Sequence, residues 1–289
     1  MHPDHVPSSE PGDGLATPHR YLAAATVWFA ISMSVLDTAI ANIALPTIAG
    51  QIHASPAAAI WVVNAYQLAI TVLLLPLAAA GDRIGHVRVY LPALGLFILG
   101  SLACALSRSF GALIVARMFQ GVGAAGIMSM NAAMMRAIYP KAMLGRGIGY
   151  NALVVATASA VGPTVAALIL SIADWPWLFA VNVPVGIAAL VFGYRFLPRV
   201  PGHGHPPDYL SSLLSAATFA LIVYGAESAA RTQSRAGLAM LLVGLVLGGT
   251  LVRRNWTRPA PLFPVDLLRI PIFSLSIATS VISFCAQMV

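Results

Sequence analysis

The chain has 289 residues, of which 59% are hydrophobic and only 9% charged, and its mean hydropathy is +0.85. Soluble globular domains carry about 25% charged residues, so this composition excludes a soluble fold and places the chain in a lipid bilayer. The net charge of +7 is accounted for by loop arginines facing an anionic leaflet, and it calls for no nucleic-acid partner.

The opening segment, Met1 to Arg20, is rich in Pro, Gly, Ser and acidic residues and reads as a disordered cytoplasmic tail. It lacks the short basic-then-apolar pattern of a cleaved signal peptide. Apolar runs near the roughly 20 residues that a spanning helix needs follow at Tyr21 to Leu45, Ala57 to Ala80, Val89 to Leu106, Phe110 to Met135, Gly147 to Ser171, Trp177 to Leu197 and Leu210 to Ala230. An eighth, Gly237 to Val252, is short, and a ninth opens at Ile272. The ninth is still apolar at Val289, so the chain is read as stopping inside a helix, a truncated form.

The basic residues test this count of spans. With a cytoplasmic N-terminus, twelve Lys and Arg residues fall on the inner side (Arg20, Arg83, Arg88, Arg136, Lys141, Arg146, Arg195, Arg199, Arg253, Arg254, Arg258, Arg269) and three on the outer side (Arg108, Arg231, Arg235). Arg117 lies within the membrane and completes the 16. This asymmetry is what the positive-inside rule expects of a multi-pass protein of the plasma (inner) membrane. Cys104 and Cys285 sit in apolar helix with no spacing that suggests a metal or a disulfide framework.

Asp37 and Arg117 are formal charges inside long apolar runs. Such a charge at a helix centre costs about 2.5 to 3.5 kcal/mol if it faces lipid, so each turns toward a partner or a wet cavity. At about 1.5 Å of rise per residue, Asp37 lies roughly 12 Å from the outer end of its run and Arg117 roughly 10 Å from the outer end of its own. Pro163 lies at roughly 12 Å, in the same layer. The competing readings are a structural acid near Asn42 for Asp37 and a side chain snorkelling to the outer interface for Arg117.

Gly121, Gly123 and Gly126 satisfy the dinucleotide pattern GxGxxG, but no strand precedes them and no acid lies between Asp82 and Asp174. Gly121, Ala125 and Gly126 are read instead as small residues that let two helices approach closely. Asn42, Asn64, Tyr66, Gln67, Asn131 and Asn151 are candidates to line a substrate cavity; the alternative is that each bonds a neighbouring helix. His203, His205 and Asp208 read as a solvated linker, and Glu227 pairs at helical spacing with Arg231. With no nucleophile, acid pair or metal cluster, the sequence predicts neither an enzyme nor a cofactor.

Four segments together resemble the major facilitator superfamily. The loop Gly81, Asp82, Arg83, Ile84, Gly85, His86, Val87, Arg88 resembles its signature loop, departing at Ala78 and His86. Leu36 to Pro46, reading LDTAIANIALP, is similar to the first-span motif of the drug:proton antiporters with fourteen spans. Arg117 to Ala125 resembles the RxxQGxGaA motif of the fourth span, with Gln120, Gly121 and Gly123 in its fixed places. Gly162 and Pro163 match the core of the antiporter motif, with Ala158, Ala166 and Ala167 standing where glycines are usual. Trp175 to Phe179 with Asn182, Pro184 and Gly186 is similar to the sixth-span entry of the same branch, and Pro264 to Leu267 follows two extra spans.

The resemblance implies an all-α integral membrane fold: an N-terminal six-helix bundle over 21–197, a loop over 198–209, two linker helices over 210–252, a loop over 253–271, and the truncated start of a second bundle over 272–289. It implies proton-coupled export of amphipathic, cationic drugs or related small molecules by alternating access. Asp37 is then the protonatable residue, with Arg117 governing when it takes up a proton. Gly81, Asp82, Arg83, Gly85 and Arg88 form a cytoplasmic charge latch, and Gly162 and Pro163 bend the fifth span. Partners are a small-molecule substrate, protons, the bilayer and a missing C-terminal half. The alternative is a truncated membrane fragment that transports nothing itself.

Overall fold

The computed structural model describes residues 13–52, 54–199, 201–202, 208–232, 235–256 and 270–288, and every element of regular structure within them is a helix. That is what a bilayer demands, since backbone N–H and C=O groups in hydrocarbon must be satisfied within the segment. The expectations resting on His203, His205, Arg258, Arg269, Pro264 to Leu267 and Val289 fall outside the described residues, as do the first twelve residues of the tail. Eight helical segments among the described residues are long and apolar enough to cross a membrane.

The chain forms two compact units, dividing near residue 206. In the first, α1 (His19–Ile52) is followed by the one-turn α2 (Pro56–Ala59), then α3 (Trp61–Ile84), α4 (His86–Ala105), α5 (Phe110–Ile138), α6 (Leu144–Ile172), α7 (Pro176–Ala180) and α8 (Asn182–Phe196). The sequence-based ending of the first span at Leu45 is too early: α1 passes through Pro46 and runs to Ile52. A proline removes one helical hydrogen bond and crowds one carbonyl, and seven turns of intact ladder precede it. α3, α4 and α6 likewise contain Pro76, Pro92 and Pro163 without ending there. Ser55 and Ser109 cap α2 and α5, accepting from the N–H groups of Ala58 (3.2 Å) and Ala112 (3.3 Å).

Residues 13–20, assigned by sequence to the tail, are tied to the bundle. Leu15 N–H donates to Ile138 O at 2.9 Å, Arg20 Nε donates to Leu15 O at 2.8 Å, and Asp13 accepts from Lys141 N–H at 2.9 Å. The apolar core is built around Tyr66, Tyr90, Phe97, Met130 and Met134, with a second cluster around Ile48, Leu113, Leu178 and Phe179. Glycines set how closely α5 approaches its neighbours. A methyl group on Gly121 would lie 2.7 Å from Tyr66 O of α3, and one on Gly123 would lie 2.7 Å from Ala93 O of α4. These residues are therefore the surface along which α5 packs on α3 and α4, as their small size predicts. On α6, Gly162 meets Ala39 of α1, and Ala158 and Ala166 are buried.

In the second unit, α9 (Tyr209–Thr232) and α10 (Arg235–Trp256) form an antiparallel pair. The glycine contacts step in opposite directions along the two helices, with Gly248 facing Thr218, Gly244 facing Ile222, Gly225 facing Leu241 and Gly237 facing Ala229. Asp208 caps α9 by accepting from Ser211 N–H (3.1 Å) and pairs with Arg254 Nη2 (3.3 Å), so it joins the ends of both helices. α11 (Pro271–Met288) follows.

Candidate functional site

α1, α4, α5 and the start of α8 converge on a layer in which the polar groups are Asp37, Ser101, Arg117, Gln120 and Asn182, all buried. Arg117 Nη1 makes an ion pair with Asp37 Oδ2. The same Nη1 donates to Gln120 Oε1 at 2.7 Å, and Arg117 Nε donates to the carbonyl of Val62 at 2.9 Å. The other carboxylate oxygen, Asp37 Oδ1, accepts from Gln120 Nε2 (2.7 Å) and from Asn182 Nδ2 (3.2 Å). Gln120 Nε2 also donates to Ser101 Oγ at 2.9 Å, and Cys104 Sγ donates to Gln120 Oε1 at 3.4 Å.

The guanidinium lies 4.1 Å from the ring centroid of Tyr66 and 5.4 Å from that of Phe179. Its Nη2 is buried without a hydrogen-bond partner, and the negative faces of the two rings supply the attraction there. Tyr66 is itself held by its hydroxyl, which donates to Ser34 O at 3.1 Å. Both charges thus have partners on several sides, the condition under which a buried pair is tolerable: the pair alone seldom repays its desolvation, whereas removing one member costs about 3 to 5 kcal/mol.

The structure brings together Asp37 and Arg117, on α1 and α5, as their depth predicts. Gln120, read by sequence only as a fixed position of the fourth-span motif, connects them. Tyr66, read as a cavity residue, lies under the guanidinium. Asn42 and Gln67 are exposed and Asn64 is half-buried. Asn131 and Asn151 are partly buried, each with a side-chain oxygen that is enclosed and unbonded. Gly162 reaches the layer from α6 through Ala39, two residues beyond Asp37. Asn182 and Ser101 were not singled out as site residues; the available signal was their depth, since Asn182 stands about 9 Å beyond the start of α7 at Pro176 and Ser101 about 6 Å before the end of α4.

At the opposite end of these helices, Gly81 to Arg88 forms a tight corner. Gly85 has φ 105°, a conformation open mainly to glycine, and its N–H donates to Gly81 O at 2.9 Å. Asp82 pairs with His86, with Oδ1 to Nε2 at 3.0 Å. Arg88 Nη1 donates to Ile84 O at 3.3 Å, and Arg83 stands in the last turn of α3.

These features define a multi-pass helical membrane protein with an ion network enclosed in one helical bundle. Residues 27–289 match the Major Facilitator Superfamily, and the chain belongs to that family. It is 53% identical over 279 residues to the uncharacterized transporter YebQ of Escherichia coli (strain K12), covering 96% of this chain and 61% of that one. It is 35% identical over 195 residues to the tetracenomycin C resistance and export protein of Streptomyces glaucescens, covering 66% of this chain and 36% of the relative. The chain therefore spans less than two thirds of the length of either. Among solved structures it is similar in fold to the human organic anion transporter MFSD10, with a TM-score of 0.54, 17% identity, and coverage of 80% of this chain and 70% of that one.

Proposed function

We propose that the chain works in proton-coupled export of amphipathic, cationic small molecules by alternating access, in an inner membrane with its N-terminus on the cytoplasmic side. The observation that carries this reading is the fully enclosed Asp37 to Arg117 pair, cross-bound by Gln120 and Asn182, in helices that are otherwise apolar. A charge pair with no exposure to solvent stabilises little by itself; its value lies in being breakable. Membership of the family and similarity to a resistance and export protein support transport in the direction of export.

In this reading Asp37 holds Arg117 while it is ionised. When it takes up a proton, the ionic attraction is lost and the donors Gln120 Nε2 and Asn182 Nδ2 face a neutral acid, so the helices carrying them are released from one another. Asn131 and Asn151 offer enclosed acceptor oxygens to a cargo that donates hydrogen bonds. The corner at Gly81 to Arg88, held by Asp82 and His86, acts as the latch of one of the two end states. Gly162 and Pro163 set the close packing of α6 on α1 beside the coupling acid.

The test uses proteoliposomes containing the chain, loaded with a cationic dye and placed in a pH gradient. Gradient-driven dye movement that Asp37→Asn abolishes, together with loss of the infrared band of a protonated carboxyl group in that variant, is expected. Gradient-driven movement that survives Asp37→Asn would refute the assignment of the proton site, and absence of any movement in the unmodified protein would refute transport by this chain.

A further inference from the structure

On the outer side of the first unit, away from the ion network, α1 and α8 leave a groove of about 520 Å³ between them. It is lined by Leu22, Thr26 and Phe29 along one stripe of α1 and by Val185, Ala189 and Phe192 along one stripe of α8. Its floor is Thr26 and Ala189, both buried, and its walls are the exposed side chains of Leu22, Phe29, Val185 and Phe192. The Thr26 hydroxyl donates to Leu22 O at 3.0 Å within its own helix, so it presents a methyl group and the groove is apolar throughout. The volume falls in the range of about 300 to 1,000 Å³ typical of small-ligand clefts.

The character changes abruptly one turn further on. Side chains three and four residues apart on a helix share a face, so the stripe of α8 continues from Phe192 to Arg195 and Phe196, and the stripe of α1 continues back from Leu22 to His19. The two ends meet there: the rings of His19 and Phe196 lie 6.0 Å apart, and Phe196 stacks on Phe192 at 5.9 Å. Arg195 and Arg199 are both exposed, Arg199 resting over Tyr194 at 5.2 Å. Neither α8 nor the first three turns of α1 contains an acidic residue. An apolar trough thus opens at one end onto Arg195, in a stretch of α1 and α8 that carries no acid of its own.

We infer that this groove binds an anionic phospholipid, an acyl chain lying between α1 and α8 and the phosphate held at Arg195 and His19, whereas Arg199 rests on Tyr194 on the opposite face of α8. The charge at the rim selects for an anionic over a zwitterionic headgroup, and the trough excludes soluble phosphates, which have nothing to place in it. The inference stands apart from the transport reading, since it concerns a different face of the bundle and needs no conformational cycle.

The experiment is native mass spectrometry of the purified, delipidated full chain, titrated with phosphatidylglycerol and phosphatidylcholine of identical acyl chains. A basic residue beside an anionic lipid surface is worth about 1 kcal/mol, a factor of about five, so retention favouring phosphatidylglycerol by about fivefold is expected. Arg195→Gln should erase that preference, Arg195→Lys should keep it, and Arg199→Gln, on the Tyr194 face, and Arg108→Gln, at the other end of the bundle, should leave it intact. Ala188→Phe, which fills the groove, should lower retention of both lipids. Equal retention of the two lipids by the unmodified protein overturns the inference, as does unchanged binding in Ala188→Phe. Competition by the chainless headgroup glycerophosphoglycerol at equal concentration also overturns it, by showing an anion site with no lipid component.

Discussion

Substituting Asp37 by Asn removes one negative charge while keeping a carbonyl oxygen where Gln120 Nε2 and Asn182 Nδ2 donate. Arg117 keeps its bonds to Val62 O and Gln120 Oε1, but its charge is left without a counter-ion at zero exposure. Breaking a buried pair in this way costs about 3 to 5 kcal/mol. Arg117→Gln alone leaves the carboxylate with only neutral donors and falls in the same range. The double variant, Asp37→Asn with Arg117→Gln, contains no buried charge, so its cost should be far below the sum of the two, with a coupling of about 2 to 4 kcal/mol against the about 0.5 kcal/mol within which independent sites add. Unfolding of the purified protein in mixed micelles, followed by tryptophan fluorescence for all four proteins, measures the cycle. Additive single effects, or single effects below about 1 kcal/mol, would refute the claim that Asp37 and Arg117 stabilise one another in the folded bundle.

Asn182→Leu removes a donor to an ionised acceptor, a loss of about 1.5 to 3 kcal/mol, and should shift the pH dependence of dye movement, which a mere packing residue would leave in place. Gly123→Val drives side-chain atoms into the α4 backbone at Ala93 and should cost about 3 kcal/mol or more, read as loss of the monodisperse peak in size exclusion; Gly95→Ala, with open space around it, should be neutral or stabilising. Gly85→Ala should cost about 1 to 2 kcal/mol because of its positive φ, whereas His86→Ala should cost no more than about 1 kcal/mol, since its partner Asp82 is 73% exposed; the same unfolding assay separates the two.

The ion pair was legible in the sequence because a charge inside an apolar run is rare enough to be informative by itself. The neutral members of the network were not, and the reason is chemical. Hydroxyl groups in a membrane helix have a default partner one turn back, as Ser34 does with Ala30 O and Thr26 with Leu22 O. Ser101 makes that same bond to Phe97 O at 2.9 Å and also accepts from Gln120, so the two situations look identical in sequence. Gln120 was legible as part of a motif but not as a bridge, because its glycine neighbours do pack helices. Asn182 stands at the start of α8, just past the break at Val181, where polarity reads as a helix boundary. At the corner, the i to i+4 spacing across Gly85 delivers His86 to Asp82, a pairing that counting arginines does not anticipate. The first span was ended one residue before Pro46, which α1 passes through to reach Ile52.

Gln120 is a neutral group with two unlike ends, and the order of its neighbours fixes which end points where: oxygen toward the guanidinium, nitrogen toward the carboxylate. Turned over, the amide would set oxygen against oxygen and donor against donor, so with both charges present only one orientation is admissible. A proton on Asp37 would relax the carboxylate side of that constraint only, because the guanidinium still calls for the amide oxygen. One neutral amide is thus held from two sides by opposite charges, and through Ser101 and Cys104 it fastens α4, which carries no charge into that layer, to both of them.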